Sequence, residues 1–370
     1  MKKIGILTFQ RALNYGAVLQ AYGLVETLKK NINDDYTIEI IDYRSETIEK
    51  TRSIKTRLDK VSIKNLLRAI LLVNKKYRFN KFNKFLPISK KKYDNSNIED
   101  LKNDYYKIIV GSDQVWNSNI TNSDYNYLLD FDFDNKYSYA ASIGQKKIDD
   151  NNISSYRDCL SKFRKISVRE IEGKNILKEQ LNIECDGVHL DPALLLEKKD
   201  WEKIATQNSV DKYILIYNVL KPDHILDVAK KISSQTGYKI KIIPNGINPK
   251  IDNSKKYFPD VVGFLNLFKN AEYILTNSFH GTVFSIIFNK KMLIELKKNG
   301  SGNDRIITLL NKCNLSDRIL NLENIDILYN DIDWKNTNKL LDDYRQESIE
   351  YLRDVIKDVE VENEKQKDNH

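Results

Sequence analysis

The stretch 272–289, EYILTNSFHGTVFSIIFN, contains two short apolar runs separated by polar residues. The first run, Tyr273, Ile274 and Leu275, consists of residues that favour β-strands and is bounded by residues that favour turns. In the second run, apolar residues recur at helical spacing, at positions 283, 284, 286, 287 and 288. The stretch is therefore predicted to be a buried strand that passes directly into a buried helix.

This transition places Ser278, Phe279 and His280 at the carboxyl end of a strand, where open α/β sheets bind their ligands. Ser278 can cap the helix, and the N–H groups of the first helical turn suit a phosphate or a carboxylate. His280 adds a group that can transfer a proton near neutral pH. The alternative is that this histidine is only hydrogen-bonded to the backbone, and the local sequence does not distinguish the two.

Length and composition restrict the class of protein. The chain has 370 residues, more than one hydrophobic core usually supports, so two domains are expected. Hydrophobic residues make up 41% and charged residues 30%, which is typical of a globular protein. The start, MKKIGILTFQR, is interrupted too early for a signal peptide, and no apolar run is long enough to span a bilayer, so a cytoplasmic location is expected. Three widely spaced cysteines indicate neither a disulfide framework nor a zinc site.

The net charge of +8 is concentrated in one segment, residues 44–92. That segment holds 16 Lys or Arg and 3 Asp or Glu, a net charge of +13, which leaves 8 − 13 = −5 for the remainder. Apolar residues between 58 and 71 allow a basic amphipathic helix that can lie on anionic lipid. The alternatives are a surface insertion with solvated charges and a nucleic-acid contact, although no recognition motif is present.

The first strand and helix are predicted at 4–9 and 17–30. The turn between them holds Asn14, Tyr15 and Gly16, and it forms a second candidate anion site at a helix start unless it is only a turn. Neither GxGxxG after the first strand nor GxxxxGK[ST] occurs, which argues against a dinucleotide enzyme or an NTPase.

A further strand, predicted at 105–110, ends in polar residues that suit sugar hydroxyls, Ser112 and Asp113. Trp116 lies just beyond and is able to stack on a sugar face. The structural alternative is that Asp113 caps a helix and Trp116 packs in the core. The run DFDFD at 130–134 is predicted to be a strand with one wet face rather than a metal site, and no metal is expected.

Arg169 follows the second of two more strands, predicted at 138–142 and 165–168. At a strand end its planar guanidinium would suit a carboxylate or phosphate, and the alternative is a surface pair with Glu170. The Asp191-Pro192 pair ends the first half, so the domain boundary is placed near Leu196.

The second half alternates strands and helices between 213 and 295, which predicts parallel strands with right-handed crossovers. The predicted fold class is therefore α/β, with parallel sheets in two domains at 1–196 and 197–335. Arg305 follows a glycine-containing loop at 299–303 that is predicted to be a lid. A charged amphipathic helix at 336–361 begins the C-terminal segment 336–370 and is long enough to cross back over the first domain.

Three strings resemble the polysaccharide pyruvyl transferase family: TNSFHGTVFSIIF at 276–288, NYGAVLQAY at 14–22 and VGSDQVWN at 110–117. They occur in the order expected for that family. The resemblance implies two Rossmann-like domains facing a cleft, a GT-B-like architecture. It also implies transfer of pyruvate from phosphoenolpyruvate to two hydroxyls of one sugar, forming a ketal. The donor-binding residues of the family fall on Arg169 and on Ser278, Phe279 and His280.

The resulting hypothesis assigns proton transfer to His280 and donor binding to Arg169, with no cofactor other than the donor substrate. Further donor-binding residues are predicted, namely Ser278, Phe279, Gly281, Thr282 and Arg305. The acceptor, a saccharide that is lipid-linked in one version of the hypothesis, is predicted to contact Asn14, Tyr15, Gly16, Ser112, Asp113 and Trp116. A peripheral membrane contact through 44–92 is the other expected partnership, and no nucleic acid is expected.

Two rival interpretations remain at this level. A GT-B glycosyltransferase that uses a nucleotide sugar would place a diphosphate at the same helix start. A non-catalytic protein would use the basic segment 44–92 to bind a membrane surface or a nucleic acid.

Overall fold

The computed structural model describes residues 1–31, 35–53, 63–219, 221–244, 254–298, 300 and 302–367. Contacts between residues group the chain into two compact units. The first comprises the described residues of Met1–Lys76, Asn83–Leu195 and Asp343–His370, and the second comprises those of Tyr77–Phe82 and Leu196–Asp342.

The first unit is built on a five-stranded parallel sheet and a separate pair of short parallel strands. Its strands are β1 (Lys2–Leu7), β2 (Tyr36–Tyr43), β3 (Ile88–Tyr93), β4 (Lys107–Val110), β5 (Lys136–Ser138), β6 (Ser167–Val168) and β7 (Gly187–Val188). The five strands of the main sheet lie in the order β3, β2, β1, β4, β5. The α-helices up to the end of this part of the chain are α1 (Tyr15–Asn31), α2 (Glu46–Arg52), α3 (Ile63–Asn80), α4 (Leu101–Asp104), α5 (Ser118–Thr121), α6 (Ile153–Leu160) and α7 (Ile171–Leu181).

The central strands of this sheet are apolar on both faces, as parallel strands covered by helices must be. Residues 4–7 of β1 and all four residues of β4 are buried. β1 pairs with β2 on one side and with β4 on the other, and all three strands run in the same direction. Their carboxyl ends therefore meet at one edge of the sheet, where the polar turns after β1 and β4 lie.

All of the edge strand β3 except its last residue lies in the basic segment 44–92, so that segment is not wholly the surface insertion that was one of the alternatives. Three consecutive lysines, Lys90, Lys91 and Lys92, are exposed on β3. Lys91 forms ion pairs with Asp104 at 2.7 Å and with Asp100 at 3.0 Å. Charged side chains on an edge strand prevent pairing with the strand of another chain. This explains why a strand of the sheet contains consecutive lysines, although the sequence pattern showed only a run of charges there.

The second unit contains a second five-stranded parallel sheet. Its strands are β8 (Tyr213–Tyr217), β9 (Lys239–Ile243), β10 (Ser254–Lys256), β11 (Tyr273–Thr276) and β12 (Lys291–Ile294). They lie in the order β10, β9, β8, β11, β12, with β8 central. The α-helices after Leu196 are α8 (Lys198–Glu202), α9 (Ile225–Thr236), α10 (Val261–Asn270), α11 (Phe279–Ile287), α12 (Asp304–Lys312) and α13 (Trp334–Lys367).

From Asp343 onward, helix α13 belongs to the first unit. The ammonium of Lys107, at the start of β4, donates to the carbonyl oxygens of Val355 at 2.8 Å and of Ile356. Tyr351 donates its hydroxyl to the carbonyl of Ser138 at 2.8 Å. A lysine that is 0% exposed is held at the amino end of the sheet by helix carbonyls, which carry partial negative charge.

The run DFDFD at 130–134 is not a strand, so that prediction was wrong. Leu129, just before it, has a left-handed backbone with φ of 52°, and Phe131 donates its N–H back to the carbonyl of Leu129 at 2.8 Å. Lys136 donates to the carbonyls of Leu129 and Phe131 at 2.8 and 2.5 Å. The buried lysine holds the chain in a tight bend, which the alternation of Asp and Phe does not reveal.

Among the residues that the structure describes, no helix is both long enough and apolar enough to cross a membrane.

Candidate functional site

Helix α11 begins where strand β11 ends, as the sequence predicted. The hydroxyl oxygen of Ser278 accepts a hydrogen bond from the N–H of Gly281 at 3.3 Å, so Ser278 caps the helix. The N–H of Ser278 in turn donates to the hydroxyl oxygen of Thr276 at 3.1 Å. Thr276 donates its hydroxyl to the carbonyl of Tyr217 on β8. The start of the helix is thus fixed to two neighbouring strands of the sheet.

A glycine is required at position 281. A Cβ atom there would lie 2.2 Å from the hydroxyl oxygen of Thr276 and 3.0 Å from its Cβ and Cγ2 atoms. Real Cβ contacts are never that short, so only a residue without a side chain lets α11 approach the end of β11 this closely. Gly281 therefore shapes the site and has no side chain with which to bind a donor.

Two N–H groups of the predicted anion site already form hydrogen bonds within the helix start. The N–H of Gly281 is taken by Ser278, and the N–H of Thr282 donates to the carbonyl of Ser278 at 2.9 Å. The hydroxyl of Thr282, which is fully buried, donates to the same carbonyl at 3.2 Å. Gly281 and Thr282 of the first turn therefore use their N–H groups within the helix start and do not offer them to an anion.

Phe279 contacts two other residues predicted at this site, His280 and Arg305. The rings of Phe279 and His280 meet edge to face with centroids 5.2 Å apart. The guanidinium carbon of Arg305 lies 5.5 Å from the centroid of the Phe279 ring. The structure therefore brings His280, Phe279 and Arg305 together at the carboxyl edge of the second sheet, with His280 only 8% exposed.

Lys297 is a site residue that the sequence reasoning did not identify. It follows β12, and its backbone is held by Asn303, which accepts from the N–H of Lys297 and donates to its carbonyl, both at 2.9 Å. A Cβ atom at Gly302 would lie 3.6 Å from the ammonium of Lys297 and 3.5 Å from the guanidinium of Arg305, so the two cations flank one point. The signal available in the sequence was its position just after a strand of the same sheet.

The two cations raise each other's electrostatic energy. Burial lowers the pKa of Lys297, and the positive charge of Arg305 lowers it further. Among the described residues, no carboxylate lies within ion-pair distance of the Lys297 ammonium. Like charges held together in a half-buried position attract an anion, because an anion relieves their repulsion.

Two further polar residues line the same edge of the second sheet. Glu295, after β12, accepts hydrogen bonds from the N–H groups of Asp223 at 3.1 Å and His224 at 2.6 Å and so fixes the loop before α9. The carbonyl oxygen of the Asn218 side chain, after β8, is buried and has no hydrogen-bond partner among the described residues. An orphaned acceptor at a strand end marks a position that a ligand hydroxyl or N–H group would satisfy.

The predicted anion site in the first unit is occupied by the chain itself. The side-chain oxygen of Asn14 accepts from the N–H of Gly16 at 2.9 Å and from the N–H of Ala17 at 3.4 Å. Asn14 therefore caps α1, and it is exposed, whereas Tyr15 and Gly16 are buried. These three residues lie at the carboxyl edge of the first sheet, after β1.

Arg169 lies in a buried cluster of charges in the first unit. Its guanidinium is 2.7 Å from a carboxylate oxygen of Asp191, 3.8 Å from Asp113 and 3.9 Å from Glu170, and its side chain is 2% exposed. Burial opposes the charge of Arg169, but attraction to these three carboxylates outweighs it, so the pKa of the guanidinium is raised. The predicted surface pair with Glu170 alone is therefore not what forms. The cluster holds one cation and three acids, which does not suit direct contact with an anionic donor.

Ser112 and Asp113, predicted to contact the acceptor, belong to this cluster. Ser112 is fully buried, and its hydroxyl donates to Asp191 at 3.3 Å. Asp113 has φ of 82°, a left-handed conformation that is uncommon for a residue with a side chain. Its carbonyl accepts from the N–H of Ser142 at 2.9 Å, and its side chain is 12% exposed. Of the two residues, only Asp113 reaches solvent.

Trp116 does not stack on a ligand, and that prediction is corrected. Its side chain is 1% exposed, its indole N–H donates to the carbonyl of Tyr127 at 3.1 Å, and its ring meets that of Phe163 edge to face. It is part of the hydrophobic core of the first unit. A tryptophan whose N–H finds a buried acceptor is a stable core residue, which was the structural alternative.

The two halves of the predicted site belong to different units. The donor-side residues Ser278 to Thr282 and Arg305 lie in the second unit, and the acceptor-side residues and Arg169 lie in the first. The predicted lid at 299–303 falls partly on residues 299 and 301, which lie outside the described part of the chain.

Comparison with known proteins places the chain by family and by fold. The family model described as polysaccharide pyruvyl transferase matches residues 14–294. The chain is similar in structure to the UDP-GlcNAc 2-epimerase of Methanocaldococcus jannaschii, with 16% identity, a TM-score of 0.50, and coverage of 92% of this chain and 93% of that one. It is also similar to S. aureus MnaA with UDP, with 14% identity, a TM-score of 0.49 and coverage of 94% and 91%. A third similar structure is the E. coli heptosyltransferase WaaC with ADP, with 10% identity, a TM-score of 0.40 and coverage of 82% and 90%.

These similarities concern the fold. The predicted α/β class with two parallel sheets of GT-B type is confirmed. A search of curated protein sequences gave no match.

Proposed function

The chain belongs to the polysaccharide pyruvyl transferase family, and from that premise we propose that it transfers pyruvate from phosphoenolpyruvate to two hydroxyls of a saccharide. The methylene carbon of the donor gains a proton and becomes a methyl group. The two sugar oxygens add to the neighbouring carbon, and its bond to the phosphate oxygen breaks. One of the two hydroxyl protons balances the new methyl group, and the other leaves with phosphate.

The observation that supports this donor most directly is the cation pair beside a helix start. Phosphoenolpyruvate carries a carboxylate and a phosphate on adjacent groups, so it needs more than one anion-binding element. Arg305 and Lys297 supply two positive charges, and the start of α11, the positive end of its dipole, lies at the same edge of the sheet. Ser278 and Phe279 are uncharged and cannot neutralise the donor. The two cations can.

His280 is assigned the proton transfers. It lies at the first turn of α11, in contact with Phe279, and Phe279 in turn lies against Arg305. A donor held by the cation pair would therefore be within the neighbourhood of the imidazole, which can donate a proton to the methylene carbon and accept one from a hydroxyl.

Arg169 is assigned a positioning task rather than a contact with the donor. Its guanidinium is already paired with Asp191 and lies near Asp113, whose left-handed backbone needs support. The acceptor is proposed to meet the first unit through Asn14, which is exposed, and through the carboxylate of Asp113, whose side chain is 12% exposed.

The function is tested by incubating the protein with phosphoenolpyruvate and saccharide fractions from the host. We expect phosphate release in step with a new ketal methyl signal in the NMR spectrum. The rival glycosyltransferase would ignore phosphoenolpyruvate and release a nucleotide from a nucleotide sugar. That outcome would replace the proposal.

Replacing Lys297 with methionine should raise the KM for phosphoenolpyruvate by about tenfold or more, because a charge-assisted contact to the donor is lost. Because the pKa of Lys297 is lowered, its charge is lost as pH rises, so the KM of the native protein should climb from neutral to alkaline pH. Lys297→Arg keeps its charge over this range and should flatten the climb. The matched control is Lys298→Met, which removes an exposed neighbouring lysine. An equal effect of both methionine variants would contradict the assignment.

We also propose that helix α3 rests on anionic lipid at the cytoplasmic face of the membrane. Ala69, Leu72 and Phe79 point into the protein and are buried. The opposite side exposes an apolar stripe at helical spacing, 48% to 62% exposed at each position, formed by Leu66, Ile70, Val73 and Tyr77. The charge of the surrounding segment complements an anionic bilayer.

The triple variant Leu66→Ser, Ile70→Ser, Val73→Ser should weaken binding to phosphatidylglycerol vesicles by about tenfold or more in flotation assays, because apolar burial in the interface is lost. Phosphatidylcholine vesicles should bind weakly throughout, and added salt should weaken the anionic contact. The matched control removes three exposed apolar residues outside α3, namely Ile171, Val210 and Leu322. Retained binding by the α3 variant would overturn the proposal.

A further inference from the structure

The first unit contains an open hollow of about 300 Å³ that none of the assigned site residues line. It lies between the start of α2, at Glu46 and Thr47, and the loop 121–126, which begins at the last residue of α5, with Asn95 and Asp130 completing its walls. Asn95 follows β3, α2 follows β2, and α5 with its loop lies in the connection that leaves β4. The hollow therefore lies at the carboxyl edge of the first sheet, the edge where α/β folds bind ligands.

Every residue that lines the hollow carries a side-chain hydrogen-bonding group, and none is cationic. Small-molecule pockets are usually lined mostly by apolar side chains, so a wholly polar wall is unusual. Its volume is near the lower end of the range for such pockets, roughly 300–1,000 Å³. Tyr125 supplies the one aromatic ring. Amide, hydroxyl and carboxylate groups around a single ring match a ligand with many hydroxyls and a weakly apolar ring face.

The wall is held in place by a hydrogen-bond network rather than by loose surface side chains. The hydroxyl of Tyr43, a residue 2% exposed, donates to Asp124 at 2.8 Å and accepts from the amide of Asn126 at 2.7 Å. The amide of Asn126 also donates to the side-chain oxygen of Asn95 at 2.8 Å. Burial and the charge of Asp124 raise the pKa of Tyr43, so the hydroxyl stays protonated as this network requires. The groups that face a ligand are thereby pre-positioned.

The backbone of the loop is strained at this wall. Asn122 and Ser123 are consecutive residues with side chains, and both have a left-handed backbone, with φ of 57° and 54°. Such residues occur where the surrounding structure enforces them, often beside ligands. The carbonyl of Thr121 accepts from the hydroxyl of Thr47 at 3.2 Å, so two residues that line the hollow tie the loop to α2.

We propose that this hollow binds one sugar unit of the saccharide acceptor, and that the unit is neutral or carries an amine. Three carboxylates line it. That of Glu46 forms an ion pair with Lys50 at 2.6 Å, whereas those of Asp124 and Asp130 form none among the described residues, so an acidic sugar or a phosphate is repelled and an amino sugar is attracted. Among the described residues no group of three or more His, Cys, Asp or Glu is placed to hold a metal ion. The term acceptor rests on the proposed function, whereas sugar binding rests on the hollow alone.

The inference is tested by NMR of the full chain with labelled threonine methyl groups and without any donor. The probes are methyl glycosides of glucose, glucosamine and glucuronic acid. The neutral and amino glycosides should shift the methyl signals of Thr47 and Thr121, which line the hollow, and should leave those of Thr276 and Thr282 in the second unit unchanged. The acidic glycoside should give the smallest shifts. Largest shifts with the acidic probe, or no shift at Thr47 and Thr121 with any probe, would overturn the inference.

A charge variant refines this test. Glu46→Gln with Asp130→Asn should reduce the preference for the amino glycoside over the neutral one by about threefold, the size expected of exposed charge interactions. Both residues are exposed, so the fold should be unaffected. Glu99→Gln with Asp150→Asn removes two exposed acids elsewhere and should leave the preference unchanged. Because no donor is present, a protein that fails to transfer pyruvate would still show these shifts, so the two proposals fail separately.

Discussion

Replacing His280 with alanine should lower the rate of phosphate release from phosphoenolpyruvate by about 10²–10⁴-fold, the usual contribution of general acid and base catalysis. The reaction needs a proton at the methylene carbon and the removal of protons from two hydroxyls. No other histidine lies at the start of α11, and Phe279 and Ser278 cannot replace it in this role. The KM for the donor should change little, because the charge is bound by Arg305 and Lys297. Stopped assays of phosphate and of the ketal methyl signal measure both quantities.

The matched control for this variant is His224→Ala. His224 is half-buried in the same unit, and its backbone makes the bonds, since its N–H donates to Glu295 and its carbonyl accepts from the N–H groups of Asp227 and Val228. This second variant should therefore keep normal turnover. Circular dichroism and thermal unfolding show whether His280→Ala remains folded, which is expected because the imidazole is not part of the helix cap. Normal turnover by a folded His280→Ala protein would show that His280 does not transfer the protons.

The start of α11 shows what could be read from the sequence. A β-forming run, a Ser that can cap and a helical apolar run specify the strand, the cap and the helix independently of the rest of the chain. Ser278 caps as predicted, and Gly281 lies where only glycine fits. Local signals of this kind predict local structure well because the interactions that decide it lie within a few residues.

The residues that were misjudged depend on distant partners. Trp116 follows a strand end, where a ligand-stacking residue is expected. Its indole N–H instead donates to the carbonyl of Tyr127, and its ring is buried in the core. Asn303 holds the backbone of Lys297, and the charge of Arg305 lowers its pKa. The sequence pattern around Lys297 reveals neither interaction. The left-handed backbone of Asp113 is likewise set by its contact with Ser142. Tertiary contacts decide these positions, and they have no short-range signature.

Arg169→Met should lower the free energy of unfolding by about 3–5 kcal/mol, the cost of removing one partner from a buried ion pair. The variant leaves the carboxylate of Asp191, whose side chain is 0% exposed, without its cation. That carboxylate prefers the neutral form in the folded variant, so the folded state binds a proton more readily than the unfolded state. The difference from the native protein should therefore shrink as pH falls from neutral to mildly acidic. Urea unfolding at several pH values measures it.

The double variant Arg169→Met, Asp191→Asn separates support of the fold from contact with the donor. Removing the unpaired negative charge at position 191 should restore more than half of the lost stability. The asparagine amide keeps the oxygen that accepts from the N–H of Ala193 at 3.0 Å. If Arg169 only positions the loop at Asp113, the KM of this folded variant for phosphoenolpyruvate should stay within about threefold of native, since no ionic contact to the donor is lost. A KM raised much further would show that the guanidinium binds the donor directly. Arg157→Met is the control. The side chain of that exposed arginine donates to the carbonyls of Leu181 and Gln180, so its loss should cost about 1 kcal/mol.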